Sequence, residues 1–250
     1  MQRIAKRLQI LTLIFCILLG CSFTRVNIFG AGNSSIVFSK SREPTKKIAL
    51  TFDDGPHPRY TERILDILAR YDIKATFFVI GVNIQNYPEP FAKIVAAGHE
   101  IGNHSFSHGV CGSRDYTEIV AEMQKCDSLV FDITGKKPSL YRPPCGIYDG
   151  EIVDAAKKAG HSIVLWSVDT LDWKNTPPKE IKKNVLENVK GGDIILMHDY
   201  TSGKNTTCEA LELMIPELLA SGYEFVTVSE LARLQGVTLE PGRIYSGFAE

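Results

Sequence analysis

The chain has 250 residues with 44% hydrophobic content, enough for one barrel or one large α/β domain with a substantial core. Of its 28 basic and 29 acidic residues, six basic ones but only Glu43 among the acids precede Lys46, so the body beyond carries 22 basic and 28 acidic residues, a net of −6. That balance argues against a nucleic-acid binder, which needs a basic face.

In chain order, residues 1–25 stand apart. Arg3, Lys6 and Arg7 precede an apolar run ending at Leu19, the layout of a secretory leader and too short for a spanning helix of about 20 apolar residues. The run closes on "LLGC", which resembles a bacterial lipoprotein box with Cys21 as the lipidated residue; ordinary cleavage further on or an uncleaved anchor stays open. Each outcome places the body outside the cytoplasm, so its only expected membrane contact is through the leader or a lipid. Residues 26–45, small and polar and closed by Pro44, form a tether.

From Lys46 strands and helices alternate. Strands are expected at Lys47–Phe52, Ala75–Ile80, Glu100–Asn103, Leu140–Arg142, Ser162–Val168, Asp193–Met197 and Phe225–Val228. Between them, "YTERILDILARY", Phe91–Ala97, "TEIVAEMQKCDSLVFDI", Gly150–Ala159, Lys179–Val189 and Cys208–Ala220 carry apolar residues at helical spacing. Several helices run into Gly98, Gly160 or Gly222, as C-termini prefer. Such alternation implies parallel strands with right-handed crossovers, closed as a barrel or open as a doubly wound sheet, with chemistry at the strands' C-terminal ends. No glycine-rich nucleotide motif follows the first strand, which disfavours the open nucleotide-binding sheet. Residues 46–235 read as one catalytic domain and 236–250 as a C-terminal tail.

Cys111, Cys126, Cys145 and Cys208 lie in the body without a CxxC spacing, so a cysteine zinc site is not expected. Free buried thiols are the simplest reading, although a disulfide is permitted outside the cytoplasm.

The strand ends carry the chemistry. "ALTFDDGPHP" delivers Asp53 and Asp54 to the end of a buried strand and then turns away. Alone it reads as a turn, since Asp, Gly and Pro are ordinary punctuation. Other strand ends add His104 and His108 in "GNHSFSH", Arg142 in "YRPPCG", Asp169, Asp172 and Trp173 in "WSVDTLDW", and His198 in "ILMHD". On a helical turn His104 and His108 would project from one face about 5.4 Å apart, within reach of one ion. Two surface histidines are the bland alternative, but a catalytic zinc site needs three protein ligands, and a carboxylate of the first strand completes the set.

"TFDDGP", "HSFSH", "RPPCG", "DTLDW" and "LMH" together resemble the five ordered motifs of the polysaccharide deacetylase family, the NodB-homology group of carbohydrate esterases, over about Lys46 to Leu234. Each motif is weak alone; all five in order are specific. The resemblance implies an α/β fold, a distorted (β/α) barrel of seven to eight parallel strands, that removes acetyl groups from N-acetylated sugars with one divalent metal. Zinc is the first choice, with cobalt, nickel or manganese as alternatives. Carried over residue by residue, Asp54, His104 and His108 hold the metal and Asp53 is the general base toward water. Arg142 pairs with Asp53, and His198 is the acid that protonates the leaving amine, with Asp169 favouring its charged form. Cys145 supplies a backbone N–H to the oxyanion, and Leu196 and Trp173 wall the acetate pocket. The family often has Tyr where this chain has Cys145, which alters the sugar groove.

The expected substrate is peptidoglycan N-acetylglucosamine; chitooligosaccharide, another surface polymer, N-acetylmuramic acid, small amides and O-acetyl esters are the alternatives. A binding barrel without activity is the alternative outside the enzyme class. A glycan is the expected partner, and no protein partner is inferable. His57, His99 and His161 match no motif role and read as structural or solvent-facing.

Overall fold

The first strand, β1 (Lys47–Asp53), is buried along nearly its whole length, as a strand covered on both faces must be. The computed structural model describes residues 46–109, 115–201 and 205–248. The leader, the tether and Cys16, Cys21 and Cys111 lie outside the described residues.

After β1 come helix α1 (Tyr60–Arg70), β2 (Thr76–Val79), α2 (Gly81–Asn86), α3 (Pro88–Ala96), β3 (Glu100–Asn103), α4 (Tyr116–Thr134), β4 (Leu140–Tyr141), α5 (Gly150–Ala159), β5 (Ser162–Val164), β6 (Val168–Asp169), α6 (Pro178–Asn188), β7 (Ile194–His198), α7 (Thr207–Ala220), β8 (Glu224–Val226), α8 (Val228–Leu234) and β9 (Ile244–Tyr245). The strands pair in the order β6-β7-β1-β2-β3-β4-β5-β9, all in parallel, and β8 pairs the start of β1 where β2 pairs its end. This is the expected distorted barrel, an open half-barrel of parallel strands with helices packed against it.

Local chemistry explains the helix ends. Asp115 accepts from the backbone N–H groups of Thr117 and Glu118 to cap α4, Asp149 caps α5 through Ile152, and Thr227 caps α8 through Glu230. The glycines expected after helices, Gly98, Gly160 and Gly222, all have positive φ.

The structure departs from expectation at the far edge of the sheet. The expected strand Ser162–Val168 is two short strands, because the chain changes neighbours between them: Leu165 N–H donates to the Tyr245 carbonyl on one side, and Ser167 N–H donates to the Ile194 carbonyl on the other. The expected tail is not a tail. Ile244 and Tyr245 pair with Ile163 and Val164, and Tyr245 and Phe248 are buried in the core. Val228, expected in the last strand, instead starts α8.

Alternation along the strands decides which residues reach the site. Ile48, Leu50 and Phe52 of β1 join Ile195 and Met197 of β7 and Phe77 and Val79 of β2 in the core shared with the helices. Ala49, Ile194, Phe78, Leu140 and Val164 face the other side and pack with α8. On that inner parity, moving toward the strands' C-terminal ends, stand Thr51 and Asp53 on β1 and Leu196 and His198 on β7, paired in register as Thr51 with Leu196 and Asp53 with His198.

Candidate active site

Asp53, Asp54, His104, His108, Cys145, Asp169, Trp173, Leu196 and His198 line one cavity of about 280 Å³, at the lower end of ligand-pocket sizes, together with Gly146 and Trp166. The structure thus brings together every expected site residue except Arg142, which lies beneath.

Arg142 is fully buried, and its Nη1 donates to Asp53 Oδ1 at 2.7 Å and to Thr51 Oγ1 at 2.8 Å. Nε and Nη2 donate to the carbonyls of Val164 and Leu165, and the guanidinium lies over the Phe78 ring. So rigidly spent a side chain holds its carboxylate partner in one orientation. Burial pulls the Arg142 guanidinium below its ordinary pKa, and the Asp53 charge opposes that.

His104 Nδ1 lies 2.7 Å from the Arg142 carbonyl. A carbonyl only accepts, so Nδ1 carries the hydrogen and Nε2 is left bare in the neutral ring. That nitrogen and His108 Nε2 approach the same oxygen, Asp54 Oδ1, at 3.4 and 3.3 Å. Asp54 Oδ1 is buried and has no hydrogen-bond partner. One ligand atom from each residue falls within 4.8 Å of the others. Electron pairs so directed repel one another unless a cation lies between them, so the donor set fits a divalent metal. The His104-to-carbonyl bond is the outer support that fixes a ligating imidazole.

The two histidines do not converge by lying on a helical turn, as their spacing suggested. Ser105 and His108 adopt left-handed backbone, φ 66° and 61°, which no α-helix contains. A hydrogen-bond chain shapes the loop instead. His161 Nε2–H donates to Asp127 Oδ2, and Asp127 Oδ1 accepts from Asn103 Nδ2. Asn103 Oδ1 accepts from Ser105 N–H, and Ser105 Oγ accepts from His108 N–H. We expect Asp127→Ala to strand these buried donors at about 1–3 kcal/mol each, lowering the urea unfolding midpoint with an unchanged slope.

Asp54, Ser105, His108, Cys145 and Leu171 make up five of the seven non-glycine residues with positive φ among the described residues. All five sit in the loops at the strand ends, where backbone strain re-aims side chains that regular geometry could not bring together.

Asp169 does not meet His198. His198 Nδ1–H donates to Asp172 Oδ1 at 2.8 Å, while Asp172 Oδ2 accepts from His198 N–H and from Thr207 Oγ1. Asp169 Oδ1 accepts instead from Leu171 N–H and from Trp173 Nε1 at 3.3 Å, so it orients the Trp173 ring that walls the cavity. The two acids lie three residues apart around a left-handed Leu171, a turn their spacing does not reveal. Burial would lower the His198 pKa, but the bond and charge of Asp172, with Asp53 and Asp54 beyond, raise it to about 9.

Leu196 is buried, whereas Trp173 is 46% exposed and is therefore not ordinary core. Cys145 is disulfide-bonded, with its partner outside the described residues, and Cys126 and Cys208 are buried free thiols. Trp166 and Asp199 were given no role by the motifs, and Asp172, although named at its strand end, was not expected to hold His198. Asp199 is fully buried, and a Cβ at Gly55 would come within 1.9 Å of its Oδ2, so only glycine fits beside it in the turn after Asp54. His99 accepts from Ala75 N–H through Nδ1, a structural role, as His161 has toward Asp127.

A profile of the family described as Polysaccharide deacetylase matches residues 40–164. The chain belongs to that family. A peptidoglycan-N-acetylglucosamine deacetylase of Bacillus cereus is 42% identical over 190 residues, 75% of this chain and 89% of that protein. The peptidoglycan-N-acetylglucosamine deacetylase PgdA of Listeria monocytogenes is 38% identical over 80% of this chain, which spans 41% of that longer protein. Among solved structures, a family 4 acetyl xylan esterase from Clostridium thermocellum in complex with a cobalt ion superposes with a TM-score of 0.75 at 34% identity, over 80% of this chain and 98% of the other. As a polysaccharide deacetylase, the chain is a hydrolase whose family uses a divalent metal.

Proposed function

We propose that this protein removes acetate from N-acetylglucosamine in peptidoglycan, hydrolysing the acetamide. The observation that carries the reading is the register pairing of a base and an acid on adjacent strands: Asp53, oriented by Arg142, lies beside His198, charged by Asp172. The ligands Asp54, His104 and His108 stand next to them.

A divalent ion held by those ligands, zinc first, supplies a Lewis acid that acidifies water and polarises the acyl oxygen. Asp53 takes the proton of the attacking water at the carboxylate oxygen not committed to Arg142. The oxyanion develops toward the Cys145 loop, whose backbone N–H is the proposed donor. His198, held by Asp172 through Nδ1, has Nε2 as the nitrogen that gives a proton to the amine as the C–N bond breaks. Leu196 and Trp173 enclose the acetyl methyl. An amide needs this acid because an amine leaves poorly unless protonated, which favours N-deacetylation over O-deacetylation at a site whose histidine is kept charged.

The same reading places the body outside the cytoplasm, by secretion or on a lipid anchor at Cys21. The disulfide at Cys145 supports an oxidising compartment. Among the described residues no helix is long and apolar enough to cross a membrane.

The test is mass spectrometry of purified peptidoglycan and N-acetylglucosamine oligomers after incubation with the full chain. We expect loss of one acetyl group per modified N-acetylglucosamine, abolished by a chelator and restored by a divalent ion. Unchanged masses, or full activity in protein stripped of metal, would falsify it.

A further inference from the structure

Outside the catalytic cavity but on the same edge of the sheet, four aromatic rings gather from three neighbouring strand ends. His57 follows β1, Tyr87 lies between the two helices after β2, and Tyr200 follows β7. Tyr60 opens α1. The His57 ring stacks on Tyr60 at 4.8 Å and 27° and on Tyr200 at 5.2 Å and 14°, with Tyr87 tilted at 6.2 Å. Tyr87 and Tyr200 are 36% and 43% exposed, so part of each side chain meets water.

We propose that these rings form a second glycan subsite, which receives a neighbouring sugar of the chain whose acetamido group occupies the metal site. The inference rests on the deacetylase reading. The chemistry matches: a pyranose presents an apolar C–H face with a rim of hydroxyls, and a tyrosine presents a flat apolar ring with a hydroxyl at its tip. The cluster is also continuous with the catalytic residues. His57 is three residues from Asp54, at most ~11 Å along the chain, and Tyr200 is two from His198.

The cluster is tied to the base by hydrogen bonds. His57 N–H donates to Thr61 Oγ1 at 2.7 Å, Thr61 Oγ1–H donates to Asp199 Oδ2 at 2.5 Å, and Asp199 N–H donates to the Asp53 carbonyl at 3.1 Å. This gives the buried Asp199 a role as the brace between cavity and rim. His57 Nδ1 accepts from the N–H groups of Arg59 and Tyr60, which fixes the central ring. Rings locked by stacking lose little side-chain freedom when a ligand lands on them, so the platform is preorganised.

The experiment follows kcat/KM and calorimetric affinity along N-acetylglucosamine oligomers from dimer to hexamer. The full-length proteins compared are wild type, Tyr200→Ala, Tyr200→Phe, Tyr87→Ala and Tyr148→Ala, an exposed tyrosine after β4 that belongs to none of these ring contacts. We expect the hexamer-to-dimer ratio to fall about tenfold in Tyr200→Ala, the scale of losing one ring contact, and less in Tyr87→Ala. Tyr200→Phe, which keeps the ring, should retain most of it. A ratio unchanged in Tyr200→Ala, an equal fall in Tyr148→Ala, or hexamer affinity indifferent to Tyr200 overturns the subsite. If no oligomer and no peptidoglycan is deacetylated, the functional reading fails instead. Calorimetry still decides the subsite then, because a wild type that binds hexamer no more tightly than Tyr200→Ala overturns it independently.

Discussion

Asp53→Asn should keep its metal and lose turnover, whereas Asp54→Asn should lose metal and recover part of its rate when excess ion is supplied. The asymmetry follows from where each carboxylate points. Asp53 Oδ1 is committed to Arg142 Nη1, and its Oδ2 lies 3.7 Å from His104 Nε2, further than either histidine nitrogen lies from Asp54 Oδ1. Asparagine at position 53 preserves the shape and an oxygen for Arg142 but cannot take a proton. General-base help is typically worth about 10²–10⁴-fold, and losing the negative charge beside the cation adds to that. Arg142 then stays buried without its counter-charge, so this variant should also be less stable than wild type. At position 54 the oxygen aimed between two imidazoles is the ligand itself. An amide oxygen there binds a cation more weakly, a deficit that mass action offsets. Metal content beside rate, with and without added ion, separates the two. If Asp53→Asn comes out metal-free and Asp54→Asn metal-loaded, the roles are reversed.

The second large effect concerns His198. Removing it (His198→Ala) should cost about 10²–10⁴-fold on an acetamide and far less on an activated acetate ester, whose leaving group needs little protonation. Asp172→Asn should act through the same proton. An asparagine oxygen can still accept from His198 N–H and Thr207, but that turns its NH₂ toward His198 Nδ1, which must then accept rather than donate. The doubly protonated ring loses its partner, so its pKa falls. The sign is fixed. A group raised to about 9 is protonated at neutral pH and loses its proton as pH climbs through that value, so wild-type activity declines on the alkaline side. A bound cation nearby brings that decline below 9. In Asp172→Asn the alkaline limb should move down by about 1–3 pH units, while Asp169→Asn should leave the limb in place and disturb the Trp173 wall instead. A limb that moves with Asp169 and not with Asp172 would return the pairing to Asp169.

Much of the site was legible in the sequence because the rules involved are local. A buried strand followed by Asp53-Asp54-Gly55-Pro56 must end there, since two adjacent charges cannot continue a packed strand. Parallel alternation sends every such end to one edge of the sheet. Period-two alternation then puts Asp53 and His198 on the inner side with no further information. For the same reason the six helices read from apolar spacing, and the glycines that end several of them, lie close to where spacing placed them.

The tertiary structure alone decided who meets whom. Asp172 rather than Asp169 holds His198 across 26 residues, because Leu171 turns left-handed between the two acids. His104 and His108 converge through a network that reaches Asp127, 24 residues from Asn103, and His161, 34 residues further along from Asp127. Asp199 meets Thr61 across 138 residues, and Ile244–Tyr245 joins the sheet beside β5 although no pattern in that short segment marks a strand. Sequence by itself determined which chemical groups arrive at the barrel mouth, because propensity, alternation and turn chemistry act over a few neighbouring residues. Their partners depend on strand register and on how the sheet curls, which are set by packing summed over the whole chain, so only the folded structure could assign them.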